Sequence, residues 1–200
     1  MKIYAISPEI EVAGEVGTVC DLLEAGLDAY HLRRPDEPEE RTAHFLESLP
    51  DDIRPRVVLH QKHEWVDEYG LGGYHWKDRA DWGECAPEIC LQRRTGRSLS
   101  RSAHGRAGLV KPRVDWDYIF VSPVFPSISK AGYGSDQSGF EWEQAVRDYP
   151  AESLMALGGI KVDTAQQASK LGFAGVVLHG YLWSNEDPVD AFRSVWRALS

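Results

Sequence analysis

Eight short apolar runs of strand length alternate along this chain with longer segments whose apolar residues recur every third or fourth position. The strand pattern falls at Lys2–Ser7, Ala29–Arg33, Val57–His60, Gly73–Trp76, Ser98–Ser102, Tyr118–Val121, Leu154–Leu157 and Gly175–Leu178. A helical period covers Val16–Ala25, Glu39–Ser48, His63–Tyr69, Trp142–Asp148, Thr164–Leu171 and Val189–Leu199. It is clearest in the last, where Val189, Phe192, Val195, Trp196 and Leu199 make one apolar stripe. Asp163 before Thr164, and the pair Asp187-Pro188, mark helix starts. Gly26, Gly70 and Gly172 sit where the preceding helices should stop, because glycine tolerates the left-handed turn that ends a helix. The segment Lys77–Gly96 is only weakly periodic and predicts a short or irregular helix; the segment after His104 also reads as irregular.

Eight strands alternating with helical connections within 200 residues leave a compact (β/α)8 barrel or an open doubly wound sheet. No GxGxxG follows the first strand, which weighs against a dinucleotide-binding sheet. The last strand passes directly to a terminal helix, which favours closure. The expected fold is therefore a single-domain TIM barrel spanning residues 1–200, without linker, repeat or low-complexity tract.

Composition narrows the class without naming the chemistry. Hydrophobic content of 42% and charged content of 26% are ordinary for a soluble globular protein. No apolar run approaches the roughly 20 residues that span a bilayer. The opening MKIYAIS enters a strand pattern with no apolar signal core, so the expected location is cytoplasmic, with no membrane partner. Cys20, Cys85 and Cys90 lack metal-like CxxC spacing and read as idle or buried thiols. A formal charge of −9 argues against nucleic acid as a partner. Against that acidic background, Arg33, Arg34, Arg101 and Lys130 near strand ends suggest positive charge gathered for an anionic ligand.

The richest stretch is VSPVFPSISK, residues 121–130. A strand runs into two prolines, then Ser127, Ser129 and Lys130, whose hydroxyls and point-charge ammonium match phosphate oxygens. Gly158-Gly159 follows the seventh strand and His179-Gly180 the eighth, the usual place for a barrel phosphate site. Bare glycine backbone lets N–H groups approach an anion. At strand two, alternation puts His31 and Arg33 on one side, both towards the mouth, where Arg33 is read as a ligand-binding group; a salt bridge to the acidic run Asp36–Glu40 is the alternative. His60, with Gln61, ends strand three, His75 ends strand four, and His104 follows strand five. A histidine at a strand end is often structural. Several converge here, but they lack the i, i+4 spacing of familiar zinc motifs, so a metal cluster is the lesser reading and no metal site is expected. His104 follows the small polar run Ser98-Leu-Ser-Arg-Ser-Ala103 and is the best general acid/base candidate, since histidine exchanges protons near neutrality. Trp76, Trp183 and Tyr133 could cover a flat heteroaromatic ring or simply belong to the core. GxSxG and P-loop motifs are absent.

The ordered set HLRRP, GYHW, SRSAH, DYIFVSPVFPSISK, MALGGI and GFAGVVLHG resembles the thiamine phosphate synthase/TenI superfamily over essentially the whole chain. The most specific pieces are DYIFVSPVFPSISK, similar to the family's DYxxxGPxFxTxTK, and the ALGGI turn. The resemblance implies a (β/α)8 fold, often a homodimer, acting on a thiazole phosphate in thiamine biosynthesis. Two activities follow from it. The synthase joins hydroxymethylpyrimidine diphosphate to thiazole phosphate with Mg²⁺; TenI-type members aromatise a carboxythiazole phosphate tautomer by moving a proton.

The departures separate these. Where synthases read approximately QLREK, this chain reads HLRRP, which keeps Arg33 but puts Pro35 at the lysine. The family's Asn-Asp at strand three is here His60-Gln61, and a neutral amide is a poor Mg²⁺ ligand. The second metal aspartate aligns near Ala80, with Asp78 two residues early. Losing both carboxylates weighs against releasing a diphosphate. The TenI-type SxH motif, by contrast, is matched by Ser102-Ala103-His104. The resemblance thus implies a tautomerase that needs no cofactor, with His104 as acid/base and His31 or His60 as a second group. Arg33, Ser127, Ser129, Lys130, Gly158, Gly159, His179 and Gly180 would hold the phosphorylated ligand. The alternatives are a synthase holding Mg²⁺ through Asp78 and a non-catalytic binder of thiamine phosphate.

Overall fold

The computed structural model describes residues 1–79, 82–93, 95–109, 115–126, 139–149 and 154–200. Eight parallel strands close into a barrel in sequence order, β1-β2-β3-β4-β5-β6-β7-β8. They are β1 (Lys2–Ile6), β2 (Ala29–Leu32), β3 (Val57–Leu59), β4 (Gly73–Trp76), β5 (Ser98–His104), β6 (Tyr118–Ser122), β7 (Leu154–Leu157) and β8 (Gly175–Leu178). Outside them lie α1 (Glu15–Glu24), α2 (Glu39–Ser48), α3 (Trp65–Glu68), α4 (Trp82–Arg93), α5 (Gly105–Leu109), α6 (Gly139–Asp148), α7 (Val162–Leu171), α8 (Gly180–Trp183) and α9 (Pro188–Leu199). The β1–β8 pairing, with Lys2 opposite Gly175 and Ala5 opposite Leu178, closes the sheet. The barrel is the expected fold.

Alternation along each strand divides the apolar residues into two bodies. Outward-facing residues pack with the helices in one large cluster that includes Ile3, Leu22, Leu32, Leu59, Leu99, Val121 and Phe192. A smaller cluster of Ile6, Tyr118, Phe120, Met155 and Val177, with Tyr4 and Leu157 against it, fills part of the barrel interior. The rest of the interior is polar, because His31, His75 and Ser100 are all buried.

Several boundaries differ from the sequence reading. The segment expected to hold a short or irregular helix contains the twelve-residue α4. Gly83 and Pro87 dilute its periodicity, while tertiary contacts hold it: Ile89 is buried and Gln92 accepts a hydrogen bond from Trp76 Nε1 at 2.8 Å. The segment after His104 starts with the single-turn helix α5. At α7 the expected Asp163–Thr164 start is displaced, since the helix begins at Val162 with Lys161 as its N-cap. Thr164 lies in the first turn, where its hydroxyl accepts from Lys161 N–H and donates to the Gly159 carbonyl, both at 2.8 Å.

The Asp187-Pro188 start of α9 holds, and Asp187 Oδ1 accepts from the N–H groups of Val189 and Asp190. Asp187→Ala removes that cap and is expected to lower stability by about 1 kcal/mol in chemical denaturation. An unchanged midpoint would leave the cap without energetic weight. Gly26, Gly70 and Gly172 take positive φ values of 110°, 66° and 90°, as the helix stops require.

Candidate active site

The carboxyl ends of the strands form the mouth, and the structure distributes the expected residues over three depths. His104 is at the rim. It ends β5 opposite Ser122 of β6, is exposed, and has Nδ1 3.3 Å from Ser122 Oγ. Its backbone N–H donates to Asp78 Oδ2 at 3.0 Å, which ties the end of β4 to the start of α5. With Nδ1 turned to Ser122, Nε2 is the nitrogen left to face a ligand.

Arg33 also stands at the rim, just past β2. Ser7 Oγ accepts from its N–H at 2.9 Å, and its guanidinium lies a loose 3.7 Å from Glu9 with a side chain 42% exposed. The expected acidic partner run takes Arg34 instead. Arg34 is not available to a ligand: it is buried against Glu15 at 2.6 Å and Glu37 at 2.9 Å, and stacks 4.3 Å above Phe45. Tyr30 completes this cluster with a 2.5 Å hydrogen bond to Glu15. Burial pushes the Glu15 carboxyl up despite the opposing Tyr30 and Arg34 contacts. Arg101 is likewise inside the protein, donating to the carbonyls of Gly108 and Leu109. Arg34 and Arg101 therefore organise loops rather than gather charge for an anion.

Beneath the rim lies a histidine cluster. His31 was expected at the mouth; it is fully buried beneath it, because closure of the barrel turns its side chain into the interior. Its Nδ1 lies 3.0 Å from His60 Nε2, and its Nε2 lies 3.0 Å from the Tyr118 hydroxyl. Burial lowers its pKa to about 3. His60 and His75 are held well below the ordinary histidine value by burial first, then by neighbouring histidines and the Arg33 charge. His75 Nδ1 and Nε2 face Ser100 Oγ and Ser102 Oγ at 2.8 and 2.9 Å. The sequence reading expected several strand-end histidines to converge; the structure brings together His31, His60 and His75 and leaves His104 at the rim. The readable signal was interior alternation on β5, Ser98-x-Ser100-x-Ser102-x-His104, which lays hydroxyls beside β4.

The third group is the glycine turn after β7. Gly158 and Gly159 adopt φ values of 95° and 63°. A Cβ on Gly159 would stand 2.3 Å from the Pro126 carbonyl and 2.8 Å from Phe125 Cβ. The turn therefore lets the β6 loop close over it, stitched by Val124 N–H to Leu157 O at 2.9 Å and Phe125 N–H to Gly158 O at 3.2 Å. Ser127, Ser129 and Lys130, expected to hold phosphate, lie outside the described residues, as does Tyr133. His179 is the N-cap of the single-turn helix α8, which begins at Gly180. Trp76 and Trp183 belong to packing. Trp76 is buried on Gln92, and Trp183 Nε1 donates to the Ile6 carbonyl at 2.7 Å. A cleft of about 230 Å³, lined by Leu32, Thr42, Leu59, Gln61, Lys62 and Trp65, opens beside the mouth on the outer side of β2 and β3.

A Mg²⁺ site at the mouth would need oxygen ligands from the ends of β3 and β4. Among the described residues, the oxygen-bearing side chains at the ends of β3 and β4 are Gln61 and Asp78. Gln61 Oε1 accepts from Arg34 N–H at 3.1 Å, and Asp78 Oδ2 accepts from His104 N–H. Mg²⁺ prefers carboxylates and keeps strict octahedral geometry. A neutral amide and one carboxylate engaged with backbone do not fit it.

A (β/α)8 barrel with a histidine at the rim and glycine turns after β7 and β8 defines a class of small-molecule enzyme scaffold. Within that class the chain belongs to the TMP-TENI family, described as thiamine monophosphate synthase, whose model matches residues 3–181. A Geobacter sulfurreducens protein provisionally named a thiamine-phosphate synthase is 27% identical over 204 residues, covering 99% of this chain and 94% of its own. Two solved structures share the fold. The thiamine phosphate pyrophosphorylase of Bacteroides thetaiotaomicron has a TM-score of 0.78 at 23% identity, covering 100% of this chain and 98% of its own. That of Pyrococcus furiosus has a TM-score of 0.79 at 19% identity, covering 99% and 95%. The chain is thus an enzyme-family member of thiamine biosynthesis. No helix of the described residues is long and apolar enough to cross a membrane.

Proposed function

We propose that this chain is a TenI-like tautomerase that aromatises a carboxythiazole phosphate without Mg²⁺. The observation that carries the reading is the contrast between neighbouring strand ends. Gln61 and Asp78 engage backbone N–H groups where a diphosphate-releasing enzyme needs metal carboxylates, while β5 presents an exposed histidine beside a hydroxyl.

The reaction moves one proton and no electrons. His104 Nε2 takes the proton from one carbon of the non-aromatic heterocycle, becoming imidazolium, and returns it at another position as the ring aromatises. Ser122 Oγ accepts from Nδ1–H and fixes the ring orientation. Arg33, half-exposed and only loosely paired, would hold the substrate carboxylate. Ser127, Ser129 and Lys130, with the Gly158-Gly159 and His179-Gly180 turns, would hold the phosphate. The partner is a phosphorylated thiazole, and a homodimer is compatible with the family.

The names of the relatives favour a second reading, synthesis of thiamine phosphate from pyrimidine diphosphate and thiazole phosphate. One paired assay separates the two. Aromatisation of the carboxythiazole phosphate tautomer in chelator-treated buffer is the expected result. Mg²⁺-dependent pyrophosphate release, without aromatisation, would replace it with the synthase. Tight ligand binding with silence in both assays would make the chain a non-catalytic binder.

A further inference from the structure

The polar half of the barrel interior is unusual in what it contains. Three imidazoles from adjacent strands, one each at or just beyond the ends of β2, β3 and β4, present ring nitrogens all within 4.8 Å of one another. Strand register is what assembles them. Leu32 pairs with Leu59 and Leu59 with Tyr74, so His60 and His75 follow paired residues, while His31 lies diagonally below. The His60 and His75 rings stack at 4.0 Å, and the His31 ring meets each edge-on at 5.2 and 5.3 Å.

We propose that His31, His60 and His75 form a binding site for one divalent transition ion of the zinc type, inside the barrel below the mouth. Imidazole nitrogen suits zinc and its neighbours rather than Mg²⁺ or Ca²⁺, and three protein nitrogens leave a fourth tetrahedral position for water or a ligand oxygen. The site is distinct from the oxygen-ligand Mg²⁺ site that synthase chemistry would use.

The dimensions are close to what coordination needs. Metal–nitrogen bonds of about 2.0–2.1 Å in a tetrahedron separate the nitrogens by roughly 3.3 Å. One pair here stands at 3.0 Å, and the widest is within 4.8 Å. A relative shift of the rings on the order of 1 Å brings the widest pair to that spacing.

The outer partners are also those of a ligand set. With its proton on Nε2, His31 donates to the Tyr118 hydroxyl and leaves Nδ1 for the metal. With its proton on Nδ1, His75 donates to Ser100 Oγ, and its Nε2, which faces the Ser102 hydroxyl at 2.9 Å, becomes the metal nitrogen once that hydroxyl turns away. Hydrogen bonds of this kind fix the tautomer and aim the lone pair of metal-ligating histidines.

The test uses the full chain, stripped with chelator and titrated with Zn²⁺ by calorimetry and with Co²⁺ by visible absorption. The expected result is one ion per chain, with the intense bands of tetrahedral Co²⁺. Affinity should fall at least 100-fold in His60→Gln and remain unchanged in His44→Ala, which alters an exposed histidine elsewhere. Wild-type protein loaded with Co²⁺ should show paramagnetically shifted ring protons from three histidines, a reading that does not depend on any variant folding. No stoichiometric binding, binding unaltered in His60→Gln, or shifted signals from fewer than three histidines would overturn the site. The inference is independent of the tautomerase reading, because none of these measurements requires turnover.

Discussion

His104→Ala is expected to lower the rate of aromatisation by about 10²–10⁴-fold, the range removed with a general acid/base. Ligand affinity should change by less than about threefold, because His104 is at the rim while Arg33 and the glycine turns stand on other strands. The contrast between rate and affinity is the informative part. A histidine serving only to hold ligand would raise KM with kcat preserved. One serving only to shape the loop would shift the melting temperature, since His104 N–H bridges to Asp78. Replacement of the ring leaves that backbone bond in place, so stability should be nearly unchanged. Ser122→Ala, which removes the hydroxyl 3.3 Å from Nδ1, should give a smaller rate loss by loosening the ring. Unchanged turnover in His104→Ala would remove the acid/base assignment.

Acid should destabilise the metal-stripped protein steeply, beginning below about pH 6.5. In the unfolded chain His31 titrates near its ordinary 6.5, whereas in the barrel burial holds it at about 3. The unfolded state therefore binds more protons throughout that interval. Stability is fully present above the unfolded value and is lost as pH falls towards the folded one. For His31 alone the full interval is worth on the order of 4–5 kcal/mol, and about 1.4 kcal/mol per pH unit while it lasts. His60 and His75 are displaced in the same direction by the same cause. Their loss adds to that of His31, against a total stability of about 5–15 kcal/mol for a typical domain. Glu15, raised by burial, works in the opposite direction but is one group against three.

Urea denaturation at pH 7.5, 6.0 and 5.0 should show this loss directly. His31→Gln, which keeps a polar side chain but cannot titrate, should be less stable at pH 7.5 and lose less on acidification. A flat profile between pH 7.5 and 5.0 would mean that the cluster takes up protons in the folded state, and so is more hydrated than its burial implies.

The barrel could be read in the chain because its signals are local and repeated. Eight strand-length runs alternate with six helical periods, and three of those helices stop at glycines that take the left-handed turn, Gly26, Gly70 and Gly172. His104 could be read for a similar reason, as the end of an unbroken small polar strand that also matches a family motif. The glycine turn at Gly158-Gly159 was legible too, although its tight fit against Pro126 and Phe125 was not. By contrast, α4 was underestimated because its sequence contains Gly83 and Pro87 and its stabilising contacts, Ile89 and Gln92, are made with other elements.

What the sequence by itself determined was therefore the fold class, the mouth and the rim histidine, all consequences of short-range pattern. What only the tertiary structure decided was which polar groups meet. Residues 31, 60 and 75 have no common spacing along the chain, and Tyr118 lies 87 residues from its partner His31. Barrel closure and strand register bring them within a few ångströms, in an interior that excludes water. The same closure buried Arg34 on Glu15 and Glu37 instead of leaving it at the mouth. Pairing across strands is a long-range choice, set by which face of each strand turns inward and by the offset between neighbours.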